Sequence, residues 1–186
     1  MIEAELKARV RNPEDVMRAL ETHGTGRAEV YQDTYYDDPR GGLNARDAEL
    51  RVRTVHGADE TRSLLTFKEA KVDEASGSKP EHETRVEDAT AVHTMLRGLG
   101  YVPAIAFEKR CRNYDLHVKG RDMLATLVRV PEIDGTFIEV ETLVEHEADV
   151  ARALTEVRAV LTELGIEEND LTRELYTDAV NARRRA

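Results

Sequence analysis

Strict alternation of charged and apolar residues is the feature that most constrains this chain of 186 residues. In the opening segment, IEAELKARVRN, every second residue from Glu3 to Arg11 is charged, and the residues between them are apolar. Successive side chains of a β-strand leave opposite faces of the sheet, so the segment is predicted to be a strand with one charged face. That face carries two acids followed by three bases.

The same alternation recurs in several later segments. Charged residues share one face in AELRVRT, LLTFK, EHETRVED and TFIEVET, with apolar residues mainly on the other. For a single strand, the simplest interpretation is a solvated surface. Here, however, the polar faces are dominated by Glu, Arg and Lys rather than by neutral polar residues. Four predicted helices, two of them at about residues 146–164 and 170–183, also need an apolar sheet surface to cover.

A barrel satisfies both requirements. We predict an α+β fold in which about eight antiparallel strands form a closed or nearly closed barrel or tunnel, with helices packed outside. The charged faces would then line the lumen, where charge is costly unless it is paired or bound to a ligand. Carboxylates beside bases suggest a divalent metal together with a polyanion. No repeat or linker interrupts the sequence, so we expect one domain over residues 1–186.

Composition limits the classes of partner. The formal net charge of −10 argues against broad binding to nucleic acid or to anionic membranes. No apolar run approaches the length of a membrane span, and the single cysteine, Cys111, excludes an internal disulfide framework. These features predict a cytoplasmic protein. The six histidines show no metal-ligand spacing, and Tyr35 and Tyr36 are interpreted as strand core.

Six motifs, taken in order, resemble those of one family. EAELK, DTYYDDP with LRVR, LLTFK, SGSKPEHET, GTFIEVE and RELYTDAV are similar to the successive blocks of the CYTH superfamily, the triphosphate tunnel metalloenzymes. The stretch MLRGLGYVPAIAFEKRCRNY is most similar to the class IV adenylyl cyclase branch. The resemblance implies an eight-stranded tunnel, dependence on Mg²⁺ or Mn²⁺, a triphosphate substrate such as ATP, and a homodimer.

The resemblance also implies roles for individual residues. The metal ligands would be Glu3, Glu5, Glu83, Glu139 and Glu141, with Glu81 as an alternative to Glu83. The catalytic lysines would be Lys7, Lys68 and Lys109, and the substrate-binding arginines would be Arg51, Arg53, Arg85, Arg110 and Arg112.

Two positions depart from the family pattern. When Tyr114 is aligned with the family tyrosine, Cys111 stands where an arginine is expected, and either Arg110 or Arg112 would have to replace that base. Val128 and Arg129 stand where relatives of the cyclase type often carry an acid. These departures bear on the number of metal ions and on the type of reaction.

Three functions therefore remain open. The first, which the resemblance to the class IV adenylyl cyclase branch favours, is the conversion of ATP to cyclic AMP and pyrophosphate. The second is hydrolysis of tripolyphosphate, thiamine triphosphate or a nucleoside triphosphate. The third is binding of a polyphosphate or nucleotide without catalysis.

Overall fold

Eight antiparallel strands form a closed barrel in the computed structural model, which describes residues 1–74 and 76–186. In chain order the strands are β1 (Ile2–Val10), β2 (Arg27–Asp37), β3 (Glu49–His56), β4 (Thr61–Lys68), β5 (Lys79–Val86), β6 (Val102–Val118), β7 (Arg121–Arg129) and β8 (Thr136–Val144). Around the barrel they follow the order β1-β5-β4-β3-β2-β6-β7-β8. The predicted α+β barrel is confirmed.

Five α-helices and one short 3₁₀ helix (Glu168–Asp170) accompany the barrel in the described part of the chain: the α-helices are α1 (Pro13–Glu21), α2 (Gly42–Ala45), α3 (Ala89–Gly98), α4 (Glu147–Glu163) and α5 (Tyr176–Arg185). The predicted helix over residues 170–183 begins too early, because α5 starts only at Tyr176. Leu171 forms a β-bridge with Ala8, and the Thr172 amide donates to the Lys7 carbonyl. These backbone contacts hold the segment before α5 in an extended conformation. No described helix is long and apolar enough to cross a membrane.

The outer face of the barrel is apolar where α1 and α4 cover it. Val16 and Leu20 of α1 are buried in one cluster with Val157 and Leu161 of α4 and with barrel residues such as Ile138. Burying each such side chain contributes roughly 1.5–3 kcal/mol. This burial orients β1, β6, β7 and β8 with their apolar residues outward, which leaves the alternate residues facing the lumen.

Helix α5 packs against the barrel through its buried residues. Tyr176 and Val180 belong to a second apolar cluster with Phe107, Val130 and Phe137. The ring of Tyr176 meets that of Phe137 edge to face, with centroids 5.3 Å apart. The start of α5 thereby becomes part of the wall of the lumen.

Candidate functional site

The lumen contains a cavity of about 370 Å³ to which all eight strands contribute. Eleven of the residues predicted from the sequence line it, including both Glu83 and its alternative Glu81: Glu3, Glu5, Lys7, Arg51, Arg53, Lys68, Glu81, Glu83, Lys109, Glu139 and Glu141. The register explains why they meet, because Glu5 lies opposite Glu141, and Lys7 opposite Glu139, across β1 and β8. Alternation then keeps each charged series on the inner face.

Three carboxylates form a group that could hold a metal ion. Oxygen atoms of Glu3, Glu5 and Glu141 all lie within 4.8 Å of one another. Burial, reinforced by the negative charges of Glu139 and Glu3, raises the pKa of Glu5 to about 8. Burial and the neighbouring Glu3 and Glu5 also raise the pKa of Glu141 well above its ordinary value. A divalent cation with oxygen ligands would relieve this repulsion, so the residues present fit such an ion.

Glu139 and Glu83 line the same cavity outside that group. Burial alone would raise the pKa of Glu139, but the charges of Lys109 and Lys7 outweigh it and lower the pKa. Glu83 accepts a hydrogen bond of 2.8 Å from the Thr66 hydroxyl. Both carboxylates are therefore engaged with groups of the basic part of the lumen.

Two buried arginines face these acids. Arg53 donates to both oxygens of Asp33, at 2.6 and 2.7 Å, and its guanidinium lies 4.4 Å from the centroid of the Tyr31 ring. The Nε atom of Arg51 is buried without a hydrogen-bond partner among the described residues. A buried N–H donor of this kind is available to a phosphoryl oxygen.

Two buried lysines add to the positive charge. Lys68 forms ion pairs with Glu3 and with Glu81, the latter at 2.8 Å. Burial would lower the pKa of Lys68, but these carboxylates outweigh it and raise the pKa well above the ordinary value. The Lys109 ammonium lies 3.9 Å from Glu139, which likewise keeps the pKa of Lys109 raised against the effect of burial. Both lysines are cations at neutral pH.

Lys7 differs from the other lumen lysines. Burial lowers its pKa, and the attraction of Glu139 and Glu5 does not offset that effect. Its ammonium donates to the Glu174 carbonyl and lies 4.3 Å from the centroid of the Tyr176 ring. Lys109 lies 4.4 Å from the same centroid, so Tyr176 contacts both ammonium groups.

Three predicted substrate-binding arginines are not brought into the cavity. The side chains of Arg110 and Arg112 project outward from the barrel, because Lys109 and Cys111 occupy the inward-facing positions of β6. Arg110 pairs with Glu108 at 3.1 Å, and Arg112 donates to the Tyr114 hydroxyl at 2.9 Å. Neither residue therefore supplies a lumen base beside Cys111.

Arg85 shares the inward parity of Glu83, but its side chain is 63% exposed. It pairs with Glu60 at 2.9 Å rather than lining the cavity. Of the two tyrosines interpreted as core, Tyr36 is buried with Val52 and Leu96, whereas Tyr35 lines the lumen.

Sequence reasoning missed several lumen residues. Tyr31 and Asp33 of β2 and Arg62 of β4 were not singled out, although each shares the parity of known inward residues. Glu49 of β3 falls on the charged face with Arg51 and Arg53 but was assigned no role. Asp33 is only 1% exposed, and the charges of Arg53 and Arg51 hold its pKa below the ordinary value against the effect of burial. Extending the alternation to the ends of β2 and β4 would have identified these positions.

A second compartment of about 320 Å³ shares Glu3, Glu5, Lys7, Glu49 and Lys68 with the lumen cavity. Its other walls include three further basic residues, Lys71, Lys79 and Arg173. Lys79 donates to the Asp47 carbonyl at 2.7 Å and to its carboxylate at 3.0 Å. The lumen thus continues into a polar space bounded by the residues around β5 and the segment before α5.

The fold and the lumen define a class of protein, an antiparallel tunnel in which acids and bases face one another around a space for a small polyanion. The sequence profile of the CYTH domain matches residues 1–176, and the chain belongs to the CYTH domain family. CYTH proteins are metal dependent, and Glu3, Glu5 and Glu141 provide an acidic site that could hold the ion.

Similar proteins cover nearly the whole chain. The adenylate cyclase candidate MJ0240 of Methanocaldococcus jannaschii is 24% identical over 96% of this chain and 98% of its own. The PH1819 protein of Pyrococcus horikoshii matches with a TM-score of 0.83 at 26% identity, over 98% of this chain and 99% of its own. The structure of HpAC1 from Hippeastrum, an adenylyl cyclase candidate described as having a dominant triphosphatase activity, matches with a TM-score of 0.63 at 18% identity, over 98% and 96% of the two chains.

Proposed function

We propose that this protein is a metal-dependent enzyme that cleaves a triphosphate substrate inside the lumen. One observation carries the proposal: the same cavity is lined by a group of three carboxylates and by four cations whose side chains are at most 13% exposed, Arg51, Arg53, Lys68 and Lys109. A triphosphate needs several cations around one chain of oxygens. Carboxylates that repel each other need a cation of their own, and we propose Mg²⁺ or Mn²⁺, held by Glu3, Glu5 and Glu141.

Each basic side chain has a task suited to its chemistry. Arg51 and Arg53 present planar donors that can hold two phosphoryl oxygens at once, whereas Lys68 and Lys109 act as point charges. When bound, the divalent ion would neutralise part of the charge that develops on the phosphoryl oxygens. Lys7, whose pKa is lowered by burial, is the proposed acceptor of the proton from the attacking hydroxyl or water.

Hydrolysis of the triphosphate is the reaction that the geometry favours. Tyr31 carries the Arg53 guanidinium on its ring, Tyr35 stacks on Phe107 with centroids 5.7 Å apart, and Tyr176 contacts two lysines. The aromatic side chains that line the cavity are therefore already in contact with other groups, and they offer no open platform for a purine base. We therefore propose tripolyphosphate, rather than a nucleotide, as the substrate.

Formation of cyclic AMP is the second candidate. It is supported by the similarity of the chain to MJ0240 and by the stretch from Met95 to Tyr114, which resembles the cyclase branch. In this reaction the ribose 3′-hydroxyl would attack the α-phosphorus and pyrophosphate would leave. The homodimer and the cytoplasmic location implied at the outset remain predictions.

A product-resolved assay separates the reactions. Purified protein is incubated with tripolyphosphate, thiamine triphosphate or ATP, in Mg²⁺ or Mn²⁺, and products are resolved by ion-exchange chromatography. Orthophosphate without cyclic nucleotide supports hydrolysis, whereas cyclic AMP with pyrophosphate supports the cyclase. The double variant Glu3→Gln with Glu5→Gln is expected to abolish turnover and to keep the circular dichroism spectrum. If the protein binds a triphosphate without turning it over, it is a non-catalytic binding module. Failure to bind any triphosphate overturns the proposal.

A further inference from the structure

Arg62 is a lumen arginine that the family motifs do not include. Its side chain lines the cavity and is 25% exposed. The guanidinium donates to both carboxylate oxygens of Glu29, at 2.8 and 3.0 Å. Glu29 is itself buried and accepts a 2.6 Å hydrogen bond from the Asn113 amide. A buried acid with a second donor thus holds Arg62 in one orientation.

The register places Arg62 at the end of a series of cations. Inward residues of β4 and their partners on β3 form four successive rows: Lys68 with Glu49, Thr66 with Arg51, Leu64 with Arg53, and Arg62 with Val55. Each row carries one cation, and neighbouring rows lie about 7 Å apart along the strand. The series begins at Lys68, which contacts Glu3 of the carboxylate group. Arg62 is the member farthest from that group along β4.

The opposite wall supports this placement. Across neighbouring strands, Arg62 pairs with Val55, Val55 pairs with Tyr31, and Tyr31 pairs with Lys109. The two cations Arg62 and Lys109 therefore lie at the same level of the hydrogen-bonded register. Cys111, the register partner of Glu29, has no charge at this position. Glu29 accepts hydrogen bonds from two of the five N–H donors of the guanidinium, and the Glu60 carboxylate lies 3.7 Å from one of the same nitrogens, which leaves donors for a ligand in the cavity.

We propose that Arg62 is a further substrate-binding residue, which holds the phosphoryl group at the end of the substrate remote from Glu3, Glu5 and Glu141. This inference rests on the proposed function, because it requires a polyphosphate chain in the lumen. Glu29 is a positioning residue, which fixes the orientation of the arginine before the substrate enters. A phosphate chain too short to extend from Lys68 toward this level would not contact Arg62.

The test compares two chain lengths. Non-hydrolysable methylene-bridged analogues of pyrophosphate and of triphosphate are titrated into the Mg²⁺-loaded protein by calorimetry. Arg62→Gln is expected to lower the affinity for the triphosphate analogue about tenfold, because a charge-assisted hydrogen bond is lost. The affinity for the pyrophosphate analogue should stay within about twofold of the wild-type value. The affinity of Arg62→Lys for the triphosphate analogue should lie between those of Arg62→Gln and the wild type. Arg152→Gln, an exposed arginine of α4 that pairs with Glu156 outside the cavity, is the matched control and should change neither affinity.

A purely structural role gives a different result. If the Arg62–Glu29 pair only stabilised the fold, Arg62→Gln and Glu29→Gln would lower the melting temperature similarly, and the ratio of the two affinities would not change. A ratio for Arg62→Gln within about twofold of the wild-type ratio overturns the inference. If the wild-type protein binds neither analogue, the proposed function fails instead, so the two failures are distinguishable.

Discussion

Lys7 and Lys68 are the same residue type in the same cavity, yet their environments shift their pKa values in opposite directions. Lys68 forms ion pairs with Glu3 and Glu81, which raise its pKa against the effect of burial. Lys7 donates to a neutral carbonyl and lies over an aromatic ring, and burial lowers its pKa. A lysine with a lowered pKa gives up its proton more readily near neutral pH. This difference is the basis for proposing Lys7 as the proton acceptor and Lys68 as a phosphate-binding cation.

Lys7→Arg tests this assignment, because arginine keeps the positive charge but does not lose its proton. We expect turnover of the preferred triphosphate to fall about 100-fold, the usual scale of general-base catalysis, while substrate affinity changes less than about threefold. Steady-state kinetics and calorimetric binding measure the two quantities. The exposed Lys119→Arg is the control. A Lys7→Arg variant that keeps more than half of the wild-type turnover would show that Lys7 only binds charge.

At the scale of the elements, alternation predicted the inner face of the barrel but not every residue that reaches the cavity. A strand with one covered face has a fixed parity, and this parity together with the family motifs selected residues that the structure places along the cavity, although their roles remain predictions. Arg110 and Arg112 were assigned to the lumen against that parity. Their outward direction shows that β6 keeps its register at Cys111. Alternation gives the inward direction of Arg62, which shares the parity of Lys68, but its level along the lumen is known only once β3 and β4 are paired.

Helix α5 illustrates what the sequence could not predict. Its start depends on Leu171 and Thr172, which pair with the backbone of β1, and that contact joins residues far apart in the chain. The position of Tyr176 in the lumen depends on the same contact. Local helix propensity carries no information about such a distant partner.

Val180 anchors α5 to the barrel and offers a test of this packing. Its side chain is fully buried among Phe107, Phe137 and their neighbours. Val180→Ala is expected to lower the free energy of unfolding by roughly 2 kcal/mol, through lost burial and the cavity left behind. Arg183→Ala, on the exposed face of the same helix, should change it by less than about 0.5 kcal/mol. Urea unfolding measures both, and equal values for the two variants would show that α5 is not packed as described.

At the scale of the whole molecule, charge is concentrated in a lumen where pairing is incomplete. Asp33 is matched by Arg53, Glu29 by Arg62, and Lys68 lies between Glu3 and Glu81. Glu5 and Glu141 have no comparably close base among the described residues, and both have raised pKa values. The barrel therefore folds around an acidic group that is satisfied by a proton or by a metal ion.

This competition predicts how stability depends on pH. Glu5 has a pKa of about 8 in the folded protein, above its ordinary value of 4.5, so its protonated form favours folding. That contribution is fully present below the ordinary value and is lost as the pH rises through about 8. Metal-free protein should therefore melt at a lower temperature at about pH 9 than at about pH 6. Saturating Mg²⁺ should flatten this dependence, since the ion replaces the proton.

The comparison of wild type with Glu5→Gln isolates the carboxylate, because the lowered pKa of Lys7 contributes with the opposite sign in both proteins. In EDTA the variant should melt higher than the wild type at alkaline pH, and the difference should shrink toward pH 6. It should also lose most of the stabilisation by Mg²⁺, because one of the three carboxylates no longer binds the ion. Circular dichroism melts across this range measure each effect. If the stability of the metal-free wild type relative to Glu5→Gln is the same at alkaline and acidic pH, the carboxylates do not repel one another as described.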